Sequence, residues 1–133
     1  MDQRGSEAGG LQGTAMNLGA SLGTALVGSI LIASLVSNFQ AEVVANPVLV
    51  DVAPQLSTAA EQNANFVSVE QVYAGAQAAG LSQEQVDAVV AEYADSQIAA
   101  LKAAFAVVGI CALVALWYVR RLPTDAVAIQ KEP

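Results

Sequence analysis

No charged residue lies between Glu7 and Glu42, so residues 8–41 form an uncharged run of 34. Few folds accept such a run. A soluble domain must show charged or polar groups to water along its length, whereas a helix crosses a hydrocarbon core of about 30 Å with only about 20 apolar residues. Inside the run stands "GGLQGTAMNLGASLGTALVGSILI", residues 9–32, with six glycines. Glycine at this density elsewhere marks a phosphate-cradling loop, but neither G-x-G-x-x-G nor G-x-x-x-x-G-K-[ST] is present and no lysine stands near. The charge gap therefore decides for a membrane span.

Composition points the same way. Hydrophobic residues make up 55% of the chain and charged residues 13%, against about 45–50% and 25% in ordinary soluble domains. That leaves too little charge for a fully solvated surface. Histidine is absent, which removes the commonest general base and metal ligand. The one cysteine, Cys111, lies in an apolar run, where the role of a buried packing residue suits it better than that of a reactive thiolate, which needs an electropositive neighbourhood. The net charge of −7 offers no electrostatic footprint for nucleic acid. No nucleophile constellation or metal-ligand spacing appears, so no catalytic residue, metal or cofactor is assigned.

The expected fold is an all-α membrane protein: two transmembrane helices joined by a long acidic loop that carries short helices. The first span covers residues 11–37, about 40 Å as a helix at 1.5 Å per residue, with the excess over the bilayer taken up by tilt or extension. The second covers residues 98–119. Its uncharged core is residues 103–119, and Lys102 can snorkel to the interface. Trp117 and Tyr118 stand where amphipathic rings favour the headgroup level, and Arg120 and Arg121 follow at once. By the positive-inside rule this end is cytoplasmic. Two spans then put a stub (residues 1–10, with Arg4) and a tail (residues 120–133) on the cytoplasmic side. The connecting residues 38–97 hold acids but no lysine or arginine, and fall outside. A cleaved signal peptide competes for the first segment. Its n-region, "MDQRGSE", has the wrong net sign, and the apolar run exceeds the usual 7–15 residues.

Within the connection, "NPVLVDVAP" (residues 46–54) reads as extended or loop-like because of its two prolines and alternating valines. Residues 68–95 read as a helical hairpin. "SVEQVYA" and "SQEQVDA" echo each other at an offset of 14, each with serine followed three residues later by glutamine, a capping-box pattern. The echo is read as shared capping chemistry, with N-caps Ser68 and Ser82 and Gly80 as the stop of the first helix. Val86, Val89, Val90 and Tyr93 share one face of the second. With neither proline nor glycine from residue 82 to 108, that helix can run unbroken into the second span.

The candidate interaction residues are small or polar side chains of the first span. Gly19 and Gly23 form G-x-x-x-G, extended backwards to Ala15, and Ala20, Thr24 and Gly28 make a second row at the same spacing. In lipid such rows let another helix approach closely. Gln12 and Asn17 are the candidate cavity-facing polar groups. Asn17 must find a partner or a polar cavity, so it either bonds across helices or lines a substrate path. The serines and threonines can satisfy their own i−4 carbonyls. Glu84 with Asp87, and Glu92 with Asp95, share helical faces, but with no histidine, base or aromatic pocket beside them they read as a solvated face.

Residues 6–35, "SEAGGLQGTAMNLGASLGTALVGSILIASL", resemble the penultimate helix of 14-helix transporters of the major facilitator superfamily, in their drug:proton antiporter branch. Glu7, Gly9, Gly10, Gly13, Asn17, Gly19 and Gly23 carry the resemblance, which continues through an Ala-rich helical loop to a last helix ending in "RRLP". It implies a C-terminal piece of a multidrug-type exporter in the plasma membrane, of bacterial type, whose partners are the lipid bilayer and the remaining helices of the same transporter. The proton-coupling acids have no counterpart here, and substrate would bind only in the complete transporter. The alternative is a free-standing two-span protein that self-associates through its glycine face.

Overall fold

The first proline of the chain is Pro47, and no helix breaker other than glycine precedes it. In the computed structural model, which describes residues 3–121 with side chains from Gly9 onward, the first helix accordingly continues well past the uncharged run. This helix, α1 (Gln3–Ala45), spans 43 residues, about 64 Å at 1.5 Å per residue. It stops where a residue before proline is pushed out of the helical region. Arg4, Glu7 and the tail from residue 122 onward, all used in the topology argument, lie outside the described side chains or residues.

The segment after α1 takes the loop-like of the two forms expected for it, up to the start of the next helix. Residues 47–52 are not extended but form successive hydrogen-bonded turns, in which Leu49 N–H donates to Asn46 O (3.0 Å) and Val52 N–H to Leu49 O (3.0 Å). Asn46 drives the reversal. Its Oδ1 accepts from Val48 N–H at 2.9 Å, the side-chain mimic of a turn that asparagine favours. Leu49 is then turned inward and is fully buried. A helix absent from the sequence reading follows, α2 (Ala53–Gln62), with Pro54 in its first turn, where a missing N–H costs nothing.

The two short connections that close the head follow the expected chemistry. Ser68 caps α3 (Val69–Ala78) and Ser82 caps α4 (Gln83–Val119), each with both bonds of the capping box formed. Gly80 has φ of +79°, and the bonds Leu81 N–H to Ala76 O and Gly80 N–H to Gln77 O complete a Schellman stop. Only glycine adopts that conformation without strain.

Among the described residues the fold is all helical, and α1 and α4 are each long and apolar enough to cross a membrane. Helix α1 packs against α2 and α4, and α4 packs against α3. The packing is confined to one end. Leu35, Phe39 and Val43 of α1, Leu49, Ala53 of α2, Ala76 of α3, and Val86, Val89, Tyr93 and Ala100 of α4 form one core. Phe39 and Tyr93 meet edge to face with centroids 5.9 Å apart. Tyr93 Oη also donates to Val67 O (3.1 Å) and accepts from Val67 N–H (3.0 Å), which ties the α2–α3 linker to α4. Gln40 reaches Glu61 across the α1–α2 contact (2.9 Å), and Asn46 reaches Glu92 (2.7 Å). This is the head. The other ends, residues 9–30 of α1 and 105–119 of α4, are two stems that are exposed except for half-buried Gly13, Val27, Ile30 and Val107.

Candidate functional site

The side chains singled out from the sequence lie on the α1 stem, on two different faces. At 3.6 residues per turn, Ala20, Thr24 and Gly28 point within about 60° of Leu35, on the face that continues the head's core. Gly19 and Gly23 point about 120–160° away from Leu35 and Phe39, toward the opposite side. Asn17 shares the first face and Gln12 the second. A single neighbouring helix cannot cover both.

Neither face is covered by this chain. Ala15, Gly19, Ala20, Gly23, Thr24 and Gly28 are all exposed, as are Gln12 and Asn17. A Cβ built on Gly9, Gly10, Gly13, Gly19, Gly23 or Gly28 would meet no heavy atom within 4 Å. Leu11, Met16, Leu18, Leu22 and Leu26 between them are likewise exposed, as are Phe105, Ile110, Leu113 and Trp117 of the facing stem. In lipid the leucines need no protein cover, since hydrocarbon solvates them as well as another side chain would. The glycines differ: a notch is useful only when a backbone approaches it.

The polar side chains of the stem are mostly self-sufficient. Thr14, Thr24 and Ser29 each donate to the carbonyl four residues back, at 2.9, 2.9 and 2.8 Å. This is the local bond that lets a hydroxyl sit in an apolar helix without a partner. Asn17 makes no such bond to another described residue, and neither does the Ser21 hydroxyl on the same face, so the Asn17 amide is left to a partner outside the described residues.

The helix contact that does form uses a row the sequence reading passed over. Ser96, Ala100 and Ala104 of α4 are 1%, 0% and 6% exposed, at i, i+4 and i+8. They are the small-residue seam through which α4 lies against α1. The signal was present as S-x-x-x-A-x-x-x-A in "SQIAALKAA", masked by the abundance of alanine. The seam has one flaw. Ser96 Oγ is buried with no hydrogen-bond partner, unlike the hydroxyls of Thr14, Thr24 and Ser29.

The remaining assigned residues lie midway along α4 and at its C-terminal end. Lys102 is exposed between Ala100 and Ala104, on the side of α4 turned away from the seam. Trp117, Tyr118, Arg120 and Arg121 close the helix, with the Arg121 guanidinium 4.1 Å from the Trp117 ring centroid, a cation–π contact. Cys111, expected as a buried packing residue, is instead exposed on the stem, because α1 does not reach over this end of α4. The acids of the head are dispersed: Asp87 accepts from Gln83 Nε2 (2.8 Å) and Glu92 from Asn46, and no group of three or more ligating side chains gathers among the described residues. The Glu70 carboxyl lies below its usual range because its own backbone N–H and the Ser68 hydroxyl stabilise the anion at the start of α3.

Comparison with family models, with curated proteins and with solved structures gives no match to this chain.

Proposed function

We propose that this chain is the terminal helical hairpin of a multi-pass membrane transporter, of the proton-coupled multidrug-exporter type. Its part there is structural. The head clamps α1 to α4 outside the membrane, and the α1 stem offers two notched faces to neighbouring helices of a larger bundle. The observation that carries this reading is the pair of glycine and small-residue rows pointing in different directions and both unfilled by the chain's own α4. In lipid such rows gain energy only from close packing, and two of them call for at least two further helices.

The arrangement in the bilayer follows from the charges. Arg120 and Arg121 sit on the cytoplasmic side of the plasma membrane, and the acidic head lies outside. Asn17 faces the interior of the bundle, where its amide bonds to a neighbouring helix or borders the substrate path. Transport itself belongs to the complete bundle, since a midplane site needs helices from several repeats around it. Lipid contacts the outer side of α4, whose stem carries no polar side chain from residue 103 to 116 other than Cys111.

A free-standing hairpin that pairs with its own copies through Gly19 and Gly23 is the competing reading. The coding sequence separates the two. An in-frame continuation upstream of the Met1 codon, with about twelve more apolar segments, is the expected result. A stop codon directly upstream, with a ribosome-binding site placed for Met1, would overturn the transporter reading in favour of the free-standing one.

A further inference from the structure

The head holds a cavity of about 420 Å³ between all four helices. Its floor is the core itself: Leu35 and Phe39 of α1, Val89 and Tyr93 of α4. Its side walls are α2 and α3, which do not touch one another. Small residues make up much of this lining, Ala59 and Ala60 of α2 with Ala64 just after it, and Gly75 and Ala76 of α3 with Ala79 at its cap, beside the larger Leu56 and Val72. A Cβ built on Gly75 meets nothing within 4 Å.

The polar groups of the lining are already committed. Tyr93 Oη is both donor and acceptor to Val67. Gln71 Oε1 holds Ser68 N–H at 3.0 Å, and Asn63 Nδ2 donates to Ala59 O at 3.1 Å. No charged side chain lines the space. Only the exposed amides of Asn63, Asn65 and Gln71 at the rim have bonding capacity left. An ion entering here would lose its hydration with nothing to replace it. An anion would also have to pass a head that carries eight acids and no base between residues 42 and 95.

We infer that this cavity is a binding site for a compact, neutral, lipophilic molecule, with at most one polar group directed at the amide rim. Its volume falls in the range of small-molecule sites, and an apolar floor with a few polar groups at the mouth is their usual construction. Aromatic ligands suit it best, because the Phe39–Tyr93 pair offers ring edges and faces at the floor. The site is formed by this chain's own four helices and is independent of the transporter reading.

The test uses the full chain in lipid nanodiscs with labelled Leu and Val methyl groups, titrated with naphthalene. Saturable shifts at Leu35, Val72 and Val89 are expected, while stem methyls of Leu18 and Leu22 change only in proportion to the probe dissolved in the lipid. Gly75→Trp, which fills the space from an open position, is expected to raise the Kd at least tenfold, and Gly109→Trp on the stem to leave it unchanged. If Gly75→Trp does not fold, Ala60→Leu takes its place. Naphthalene-1-sulfonate is expected to produce no saturable shift. Head and stem methyls that respond alike, or saturation that survives the filled cavity, would overturn the site; equal binding of the sulfonate would overturn its neutral character.

Discussion

Replacing Gly19 and Gly23 together by leucine isolates the claim that the α1 notches are unused within this chain. In a packed interface, Gly→Leu inserts four carbons where a backbone should lie, and such overpacking costs about 1–3 kcal/mol per site. Here the added Cβ meets no atom within 4 Å at either position, so that cost is absent. What remains is the gain from removing glycine from a helix interior, about 0.5–1 kcal/mol per site. The double variant is therefore expected to be more stable than the parent chain by about 1–2 kcal/mol, if the two sites add. The control is Ala100→Leu in the seam, at 0% exposure, expected to lose about 1–3 kcal/mol. Denaturation of the chain in mixed micelles, followed by circular dichroism, measures both. A double glycine variant that loses 1 kcal/mol or more would refute the reasoning, because it would mean that α4 or a second copy occupies the notch.

Three further outcomes follow from single sites. Ser96→Ala should raise stability by about 1 kcal/mol, since it deletes a buried hydroxyl without a partner; a loss in the same denaturation experiment would show that the hydroxyl is bonded. Gly80→Ala should cost about 1–2 kcal/mol purely through its left-handed backbone, because the space around it is open; a neutral result would mean the α3–α4 turn is built differently. The Glu70 carboxyl, held below its usual range, should favour folding of the α3 start above the unfolded value and lose that contribution as pH falls through its lower folded value; a carboxyl-carbon NMR titration with its midpoint at or above 4.5 would contradict the capping account.

Much of the helical framework is legible in the sequence because local chemistry decides it. Ser68 and Ser82 each bring a glutamine three residues later, Gly80 supplies the left-handed stop, and the absence of proline lets α4 run through into the second apolar segment. What was not legible depended on tertiary contact. The stretch "NPVLVDVAP" carries extended-chain signals, yet Asn46 bends it and Leu49 is drawn into a core that no local rule describes. Helix α2 was hidden for a related reason: its apolar positions, Ala53, Leu56 and Ala60, are few, and they matter only once α1 is there to receive them. The interaction surface divides in the same way. Rows of small residues can be read on both α1 and α4, but only the fold shows that Ser96, Ala100 and Ala104 are spent on the internal contact while Gly19 and Gly23 are not.

The central claim is that the head is packed and the stems are not packed on each other. Distance measurement by paired spin labels tests this directly in nanodiscs. One pair, Gln40→Cys with Glu61→Cys in a Cys111→Ser background, reports on the head, where the native side chains are hydrogen-bonded. The other, native Cys111 with Thr24→Cys, reports on the stems. The account predicts a narrow distance distribution for the head pair and a broad one for the stem pair. A stem distribution as narrow as that of the head would mean that α4 fills the Ala20–Thr24–Gly28 face of α1 by itself, and would contradict the claim that both faces of the α1 stem await helices from outside this chain.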